Sequence, residues 1–342
     1  VRANEWHRLN VPAVGSWEPT LSVTVVVPTR GGGRRLDLLL ASLGRQTYPS
    51  ALLEVVVVDD ASSPPLALTS EINGIPVKTV RCEDSGIFGA GRARNAGAAK
   101  ARGDVLVFLD SDLLAGVDAI EYLVRWQHLA PYSMVTGVLG FFDDEVIDEA
   151  EMRTAIDAAT LPALLADRLS DDQVWRERTF GRTFDLTVDT PDMFRIVIGA
   201  VMVVRRSFHE SLGGLRELGL RGIEDTEYGY RAHNAGALLV LDRDAQLWHQ
   251  GRRHFDTKKA AATKRDRLPL LVDLIASPAF REECTSPPTV PTLVVDLRGA
   301  LAPVDGISAV LAGSGQAVCC LVDDGIDHAD ERVVNASTSD ER

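Results

Sequence analysis

The run Val105-Leu-Val-Phe-Leu109, followed at once by Asp110-Ser-Asp112, constrains this chain more than any other stretch. Five apolar residues without alternation fit a strand covered on both faces, as in a parallel sheet between layers of helices. In such sheets ligands collect beyond the C-terminal ends of the strands. Asp110 and Asp112 are therefore candidates to hold a divalent cation, which few protein oxygens can grip while it bridges to phosphate groups. An ordinary acidic turn is the alternative reading, because Asp is common there.

The segments upstream repeat the pattern. Val23-Thr-Val-Val-Val-Pro28 reads as a first buried strand, stopped by Pro28 and the loop Thr29-Arg30-Gly31-Gly32-Gly33, whose glycines let backbone approach a ligand closely. The loop has neither the Gly-Lys-Ser/Thr of a P-loop nor dinucleotide-fold spacing. Leu36, Leu39, Leu40 and Leu43 then mark a helix covering the sheet. Leu53-Glu-Val-Val-Val-Val58 is a second strand that delivers Asp59 and Asp60 to another strand end, where a turn-forming role is equally open. Ile75 to Val80 is a shorter third strand. From Gly86 to Gly103 small residues suit a helix pressed against the sheet, with Gly103 as its C-terminal cap. Its start, carrying Arg92, Arg94 and Asn95, favours an anion, although surface charge explains the arginines as well.

Downstream, an amphipathic helix is expected from Ala115 to Ala130, strands at Met134–Gly140, Ile196–Val204 and Leu238–Leu241, and acidic, Ala-rich helical structure from Asp143 to about Asp192. In Leu220 to Gly236, Asp225 sits where a helix N-cap belongs and Gly236 where that helix stops. Asp225 is then either a structural cap or a general base kept ionised by the helix start. His249, beside Trp248, reads by itself as a satisfied structural residue. The cluster Arg252-Arg-His-Phe, Lys258-Lys and Lys264-Arg-Asp-Arg267 is a solvated face or a mobile basic lid, and Leu268 to Phe280 a helix. After a Pro-stiffened linker, Thr285 to Thr292, Leu293 to Val322 repeats a β-α-β pattern, and the acidic end is expected to be disordered.

A formal charge of -13 argues against nucleic acid as a partner. Cys82, Cys284, Cys319 and Cys320 show no metal-ligand spacing, which fits a reduced, cytoplasmic setting, and no apolar run is long enough for a transmembrane segment.

Taken in order, Val23-Thr-Val-Val-Val-Pro-Thr, Gln46-Thr-Tyr-Pro, Val55-Val-Val-Val-Asp-Asp-Ala-Ser, Ala93-Arg-Asn-Ala-Gly and Phe108-Leu-Asp-Ser-Asp resemble the signature of the family-two glycosyltransferases of GT-A fold, over residues 21 to 255. The resemblance implies an α/β architecture with a mostly parallel central sheet flanked by helices. Over that span it divides the chain into a nucleotide-sugar half (21–130) and an acceptor half (131–255), and the flanking residues read as an N-terminal extension (1–20), a basic helical tail (256–284) and a β-α-β extension (285–342). It also implies a UDP-sugar donor, a saccharide or small-molecule hydroxyl acceptor, and Mn2+ or Mg2+. Pro28, Thr29, Arg30 and Asp60 would meet the nucleoside, with Arg94, Asn95, Asp110 and Ser111 near the donor.

Gly213 to Arg231 resembles the Glu-Asp region of galactosyl- and N-acetylhexosaminyl-transferases, including chondroitin-polymerase-like enzymes, but has Leu220-Arg-Gly-Ile223 where they carry Trp-Gly-Gly. Glu224 and Asp225 become the catalytic pair, with Asp225 as base. His249 is carried over as a metal ligand with Asp110 and Asp112, a donor set suited to Mn2+. Trp175, Arg176 and Phe180 are candidate acceptor contacts. A retaining transferase, a nucleotidyltransferase and a catalytically silent nucleotide-binding module are the rival readings.

Overall fold

The computed structural model describes residues 4–84, 90–170, 174–219, 223–251, 267–275, 277, 293–298, 307, 318–322 and 333–335. The chain divides into two compact units, Val1–His254 and Phe255–Arg342.

In the first unit the elements follow as β1 (Val23–Thr29), α1 (Arg34–Leu43), β2 (Leu53–Asp60), β3 (Glu71–Ile72), β4 (Ile75–Cys82), α2 (Ala90–Ala98), β5 (Val105–Leu109), β6 (Leu113–Ala115) and α3 (Ala119–Arg125). Then come β7 (Ser133–Phe142), α4 (Glu149–Asp157), α5 (Leu161–Leu165), β8 (Leu169–Ser170), α6 (Val174–Arg182), β9 (Val201–Arg205), α7 (Arg206–Ser211), α8 (Glu224–Asn234) and β10 (Leu238–Gln250). They build one sheet in the order β3-β4-β2-β1-β5-β9-β7-β10-β6, with β8 on β7. Strands β4, β2, β1 and β5 run parallel; β9 enters antiparallel between β5 and β7; β10 runs parallel to β7 and antiparallel to β6. The expected α/β architecture is observed.

Strand side chains point alternately to the two faces, so an unbroken apolar run feeds two cores. Val25, Val27, Val55, Val57, Val105 and Val107 join one core with Leu36, Leu39 and Leu43 of α1 and Ile120, Leu123 and Val124 of α3. Val26, Val56, Val58, Leu106 and Phe108 join the other with Ala93 of α2 and Tyr228 and Ala232 of α8. Gly97 lets α2 lie flush on this second face, since a Cβ there would come 2.8 Å from Val58 Cγ2.

Several expectations are corrected. Gly103 does not cap α2, which ends at Ala98; it lies against the Thr24 backbone, where a Cβ would have no room. Ala115 closes a short strand on β10 rather than opening a helix, because the backbone of Leu113–Ala115 finds partners there. The Ile196 run becomes strand only from Val201, after a turn through Gly199. The segment from Asp143 is helical in pieces, interrupted by β8.

In the second unit, β11 (Leu293–Asp296), β12 (Val318–Val322) and β13 (Val333–Asn335) form a separate parallel sheet, with Ile307, Cys320 and Val322 buried together. The end is thus not wholly without structure: Val333–Asn335 takes up backbone partners on β12. Residues 267–274 are helical. The cluster from Arg252 to Lys264, the linker Thr285–Thr292 and Phe280 lie outside the described residues. Among the described residues no helix is long and apolar enough to cross a membrane.

Candidate active site

Beyond Leu109 the chain turns, and the Asp110 N–H donates to Ala200 O at 3.1 Å, which pins the end of β5 to the start of β9. Arg94 reaches this point from α2. Its Nη2 donates to Asp110 Oδ1 at 2.8 Å and its Nη1 to Glu224 Oε1 at 3.0 Å. The guanidinium is only 3% exposed. Burial by itself would lower its pKa, but Asp110, Glu224 and Asp225 outweigh that and hold it charged.

Asp225 is the second residue of α8, not its N-cap, a position taken by Ile223. Its Oδ2 accepts the Gly199 N–H at 2.9 Å and its Oδ1 the Thr226 N–H at 2.8 Å. The helix start does not win the electrostatic contest here. Burial, and next Glu224, push the Asp225 carboxyl above the usual range, against hydrogen bonding and Arg94. Glu224 is buried, holding Arg94 with one oxygen and the Ile223 N–H with the other at 3.1 Å. A buried carboxylate so committed orients its neighbours rather than meeting an acceptor.

Asp112 and His249 meet across the β6–β10 pairing, where His249 is opposite Leu113 and the Gln250 N–H donates to Asp112 O at 2.8 Å. His249 Nε2 lies 3.2 Å from Asp112 Oδ2. The imidazole stacks on Phe141 at 4.6 Å, and its Nδ1 lies 3.3 Å from Gly251 O. In the tautomer whose Nδ1 donates to that carbonyl, Nε2 is left to ligate a cation shared with Asp112. Burial pushes the Asp112 carboxyl up and Asp110 adds to this, while His249 opposes it.

Asp112 Oδ1 is buried without a hydrogen-bond partner among the described residues. An orphaned carboxylate oxygen beside an oriented imidazole fits a cation that takes mixed oxygen and nitrogen ligands. The full expected triad is not assembled. Asp110 faces Arg94, whose buried charge demands a counter-ion, and among the described residues no three His, Cys, Asp or Glu side chains are grouped to hold a metal.

On the nucleoside side, Pro28 and Thr29 are buried at the end of β1. Arg30 is exposed and pairs with Asp84 at 3.3 Å. Asp60 pairs with Arg92 at 2.9 Å, and Ser111 is half-buried. Asn95 turns away from a donor role: its amide donates to Leu215 O at 2.7 Å and accepts the Leu215 N–H at 2.9 Å. Sequence reasoning singled out neither Ser62 nor Gly199, while Asp59 takes the turn-forming role left open for it. Asp59 accepts from Ser62 and Leu66 N–H and from Arg81, while Ser62 Oγ accepts the Gly31 N–H at 2.8 Å. The adjacent Ser/Pro turn was the available signal, since Asp commonly caps its own turn.

The acceptor contacts are corrected. Arg176 and Phe180 are buried, the arginine donating to Thr136 and lying over the Phe180 ring; Trp175 alone of the three is exposed. A cavity of about 280 Å³ lined by Arg45, Asp118, Tyr122, Leu161, Asp244 and Trp248 contains none of the expected site residues. Residues 85–89 and Leu220–Gly222 lie outside the described residues.

The largely parallel sheet flanked by helices, with acidic groups gathered beyond its strand ends, is of the GT-A fold. A family model described as glycosyl transferase family 2 matches residues 24–213, and the chain belongs to that family. It is 28% identical over 255 residues to validoxylamine A glucosyltransferase of Streptomyces hygroscopicus subsp. jinggangensis, a match covering 69% of this chain and 56% of that protein. With uncharacterized glycosyltransferase YfnE of Bacillus subtilis it shares 25% identity over 257 residues, covering 67% and 65%. The chain thus spans between half and two thirds of these relatives. The solved mannosyltransferase PcManGT from Pyrobaculum calidifontis, in complex with GDP-Man and Mn2+, shares the fold at a TM-score of 0.51 and 20% identity, over 84% of this chain and 72% of that one.

Proposed function

We propose that this chain is a metal-dependent, inverting glycosyltransferase moving a hexosyl or N-acetylhexosaminyl group from a UDP-sugar to a hydroxyl of a saccharide or small molecule. The observation that carries the reading is the gathering of Asp110, Glu224 and Asp225 about Arg94, together with the Asp112–His249 contact, beyond the strand ends where such sheets bind ligands. A glucosyltransferase among the relatives supports hexosyl transfer. The buried Cys82 thiol fits a reducing, cytoplasmic setting.

Pro28, Thr29 and Asp60 border the nucleoside, with Arg30 and Ser111 near the donor. Asp112 and His249 would hold Mn2+ or Mg2+, with Asp110 beside them; when bound, the ion supplies positive charge against the diphosphate leaving group. Asp225 takes the proton of the acceptor hydroxyl as that oxygen bonds to the anomeric carbon, and the bond from that carbon to the diphosphate breaks on the opposite face. Gly199 and Thr226 N–H groups fix the carboxylate's orientation. A pKa raised by burial makes Asp225 a stronger base once ionised.

The test is release of UDP from UDP-glucose, UDP-galactose and UDP-N-acetylglucosamine, with GDP-mannose for comparison, in Mn2+, Mg2+ or chelator. Metal-dependent turnover of a UDP-sugar, lost in Asp225→Asn while UDP binding persists, is expected. Normal turnover by that variant removes Asp225 as base. UDP binding without turnover of any donor favours a silent module. Proton NMR of the product's anomeric centre checks inversion.

A further inference from the structure

Arg94 touches both ends of the proposed chemistry. One nitrogen of its fork holds Asp110, at the donor end of β5, and the other holds Glu224, the residue immediately before the proposed base. These groups lie on three different elements, so their spacing depends on a planar, rigid connector. The side chain is buried, and its Nε has no hydrogen-bond partner among the described residues. Each terminal nitrogen already holds a protein carboxylate and the side chain is buried, which limits its access to a donor phosphate. Gly199 closes the arrangement. A Cβ there would lie 2.6 Å from Arg94 Cζ, and the same residue's N–H holds Asp225 Oδ2 at 2.9 Å.

We infer that Arg94, seated against Gly199, is a positioning residue that sets the distance between the donor-side carboxylate Asp110 and the base Asp225, rather than a donor ligand. The inference rests on the reading of Asp225 as base. It specifies where the effect of losing Arg94 falls. A displaced connector shifts Glu224 and Asp225 relative to the donor, and small misplacements of reacting groups lower the chemical step by about a hundredfold. Donor affinity, set by the nucleoside loops and the Asp112–His249 pair, stays close to its original value.

Gly199 supplies an independent way to disturb Arg94 without touching its charge. Its turn is tight against the guanidinium, so Gly199→Ala must push the two apart. Gly181→Ala, on α6 with nothing within 4 Å of the added Cβ, is the control.

The experiment compares wild type, Arg94→Lys, Gly199→Ala, Gly181→Ala and Asp225→Asn, by kcat and donor KM and by calorimetric binding of UDP with Mn2+; thermal melts establish that each is folded. Arg94→Lys and Gly199→Ala are expected to lose about a hundredfold in kcat, with UDP affinity changed less than threefold and Gly181→Ala unaltered. A loss confined to donor KM and UDP affinity overturns the inference and makes Arg94 a donor contact. Wild-type kcat in folded Arg94→Lys overturns it as well. If Asp225→Asn keeps full activity, the assignment of the base fails instead, and Arg94 has no base to position.

Discussion

Ser62 Oγ accepts the Gly31 N–H at 2.8 Å, joining the loop after β1 to the loop after β2. Asp59 underlies this joint. It is 1% exposed and accepts the Ser62 N–H at 2.8 Å, the Leu66 N–H at 3.0 Å and Arg81 Nη1 at 2.7 Å. Burial pulls its carboxyl upward, but these hydrogen bonds and the Ser62 hydroxyl bring it down to about 2. A depressed carboxylate contributes stability that is present above its unfolded value and lost as pH falls through the folded one, here from about 4 toward 2. Asp59→Asn is therefore expected to cost about 2 kcal/mol at pH 7 and less by pH 2.5, read from urea melts. Ser62→Ala, which leaves Asp59 in place, raises the Kd for UDP several-fold with a smaller effect on melting. Unchanged UDP binding in both variants removes the two loops from the donor site.

His209 gives a second pH dependence, distinct from the site. It is buried against Phe108, its Nδ1 lies 2.8 Å from Tyr228 Oη, and burial followed by Arg231 lowers its pKa to about 4. The unfolded imidazole titrates near 6.5. Between those values the unfolded chain binds the proton and the folded chain does not, so stability is full above about 6.5 and falls as pH drops toward 4. The loss approaches about 3 kcal/mol across that window. His209→Gln should flatten the curve between pH 7 and 4.5, measured by denaturant melts; an equal slope in the variant assigns the effect elsewhere.

The parallel half of this fold is legible from the chain because β1, β2 and β5 are runs of valine and leucine that only a doubly covered strand can accommodate. The direction of β9 is not legible: hydrophobicity does not encode whether a strand runs with its neighbour or against it. Asp59 and Asp60 differ only in which loop groups they meet, and the buried valines before them occupy both faces, so periodicity does not single out the one that braces the turn. Glu224 and Arg94 are 130 residues apart, and a buried ion pair at that separation leaves no local pattern. Arg176 shows the converse, since in an acidic helical segment it reads as surface or acceptor contact, and its burial against Thr136 follows from tertiary packing alone.

Small residues in α2 carry a stability prediction. Ala at an exposed helix position gains about 1 kcal/mol over Gly. At Gly97 the added methyl meets Val26 and Val58, both anchored in the sheet and unable to withdraw, and overpacking of this kind costs about 1–3 kcal/mol. Gly97→Ala is expected to destabilise by about 1–2 kcal/mol in urea melts, the overpacking exceeding the propensity gain. Gly181→Ala, in open space on α6, should be neutral or stabilising. A stabilised Gly97→Ala protein would falsify the close seating of α2.

The Asp112–His249 pair carries the last prediction, about unequal roles for two carboxylates that a sequence motif treats alike. Asp110 has one oxygen occupied by Arg94, whereas Asp112 has one oxygen 3.2 Å from His249 and the other buried without a partner among the described residues. Buried polar atoms left in this state are costly unless something pairs with them, and a cation together with the donor diphosphate supplies that pairing. In wild type, Mn2+ should therefore tighten UDP binding by tenfold or more in calorimetric titrations. Asp112→Asn and His249→Ala should each abolish the enhancement while leaving metal-free UDP binding nearly as it was. Asp110→Asn, which removes a partner of Arg94 before it removes a metal ligand, should retain part of the enhancement and lose more in kcat than in affinity. The opposite ranking, with Asp110→Asn blind to Mn2+ and Asp112→Asn fully responsive, makes Asp110 the principal ligand and leaves the orphaned oxygen of Asp112 to another partner.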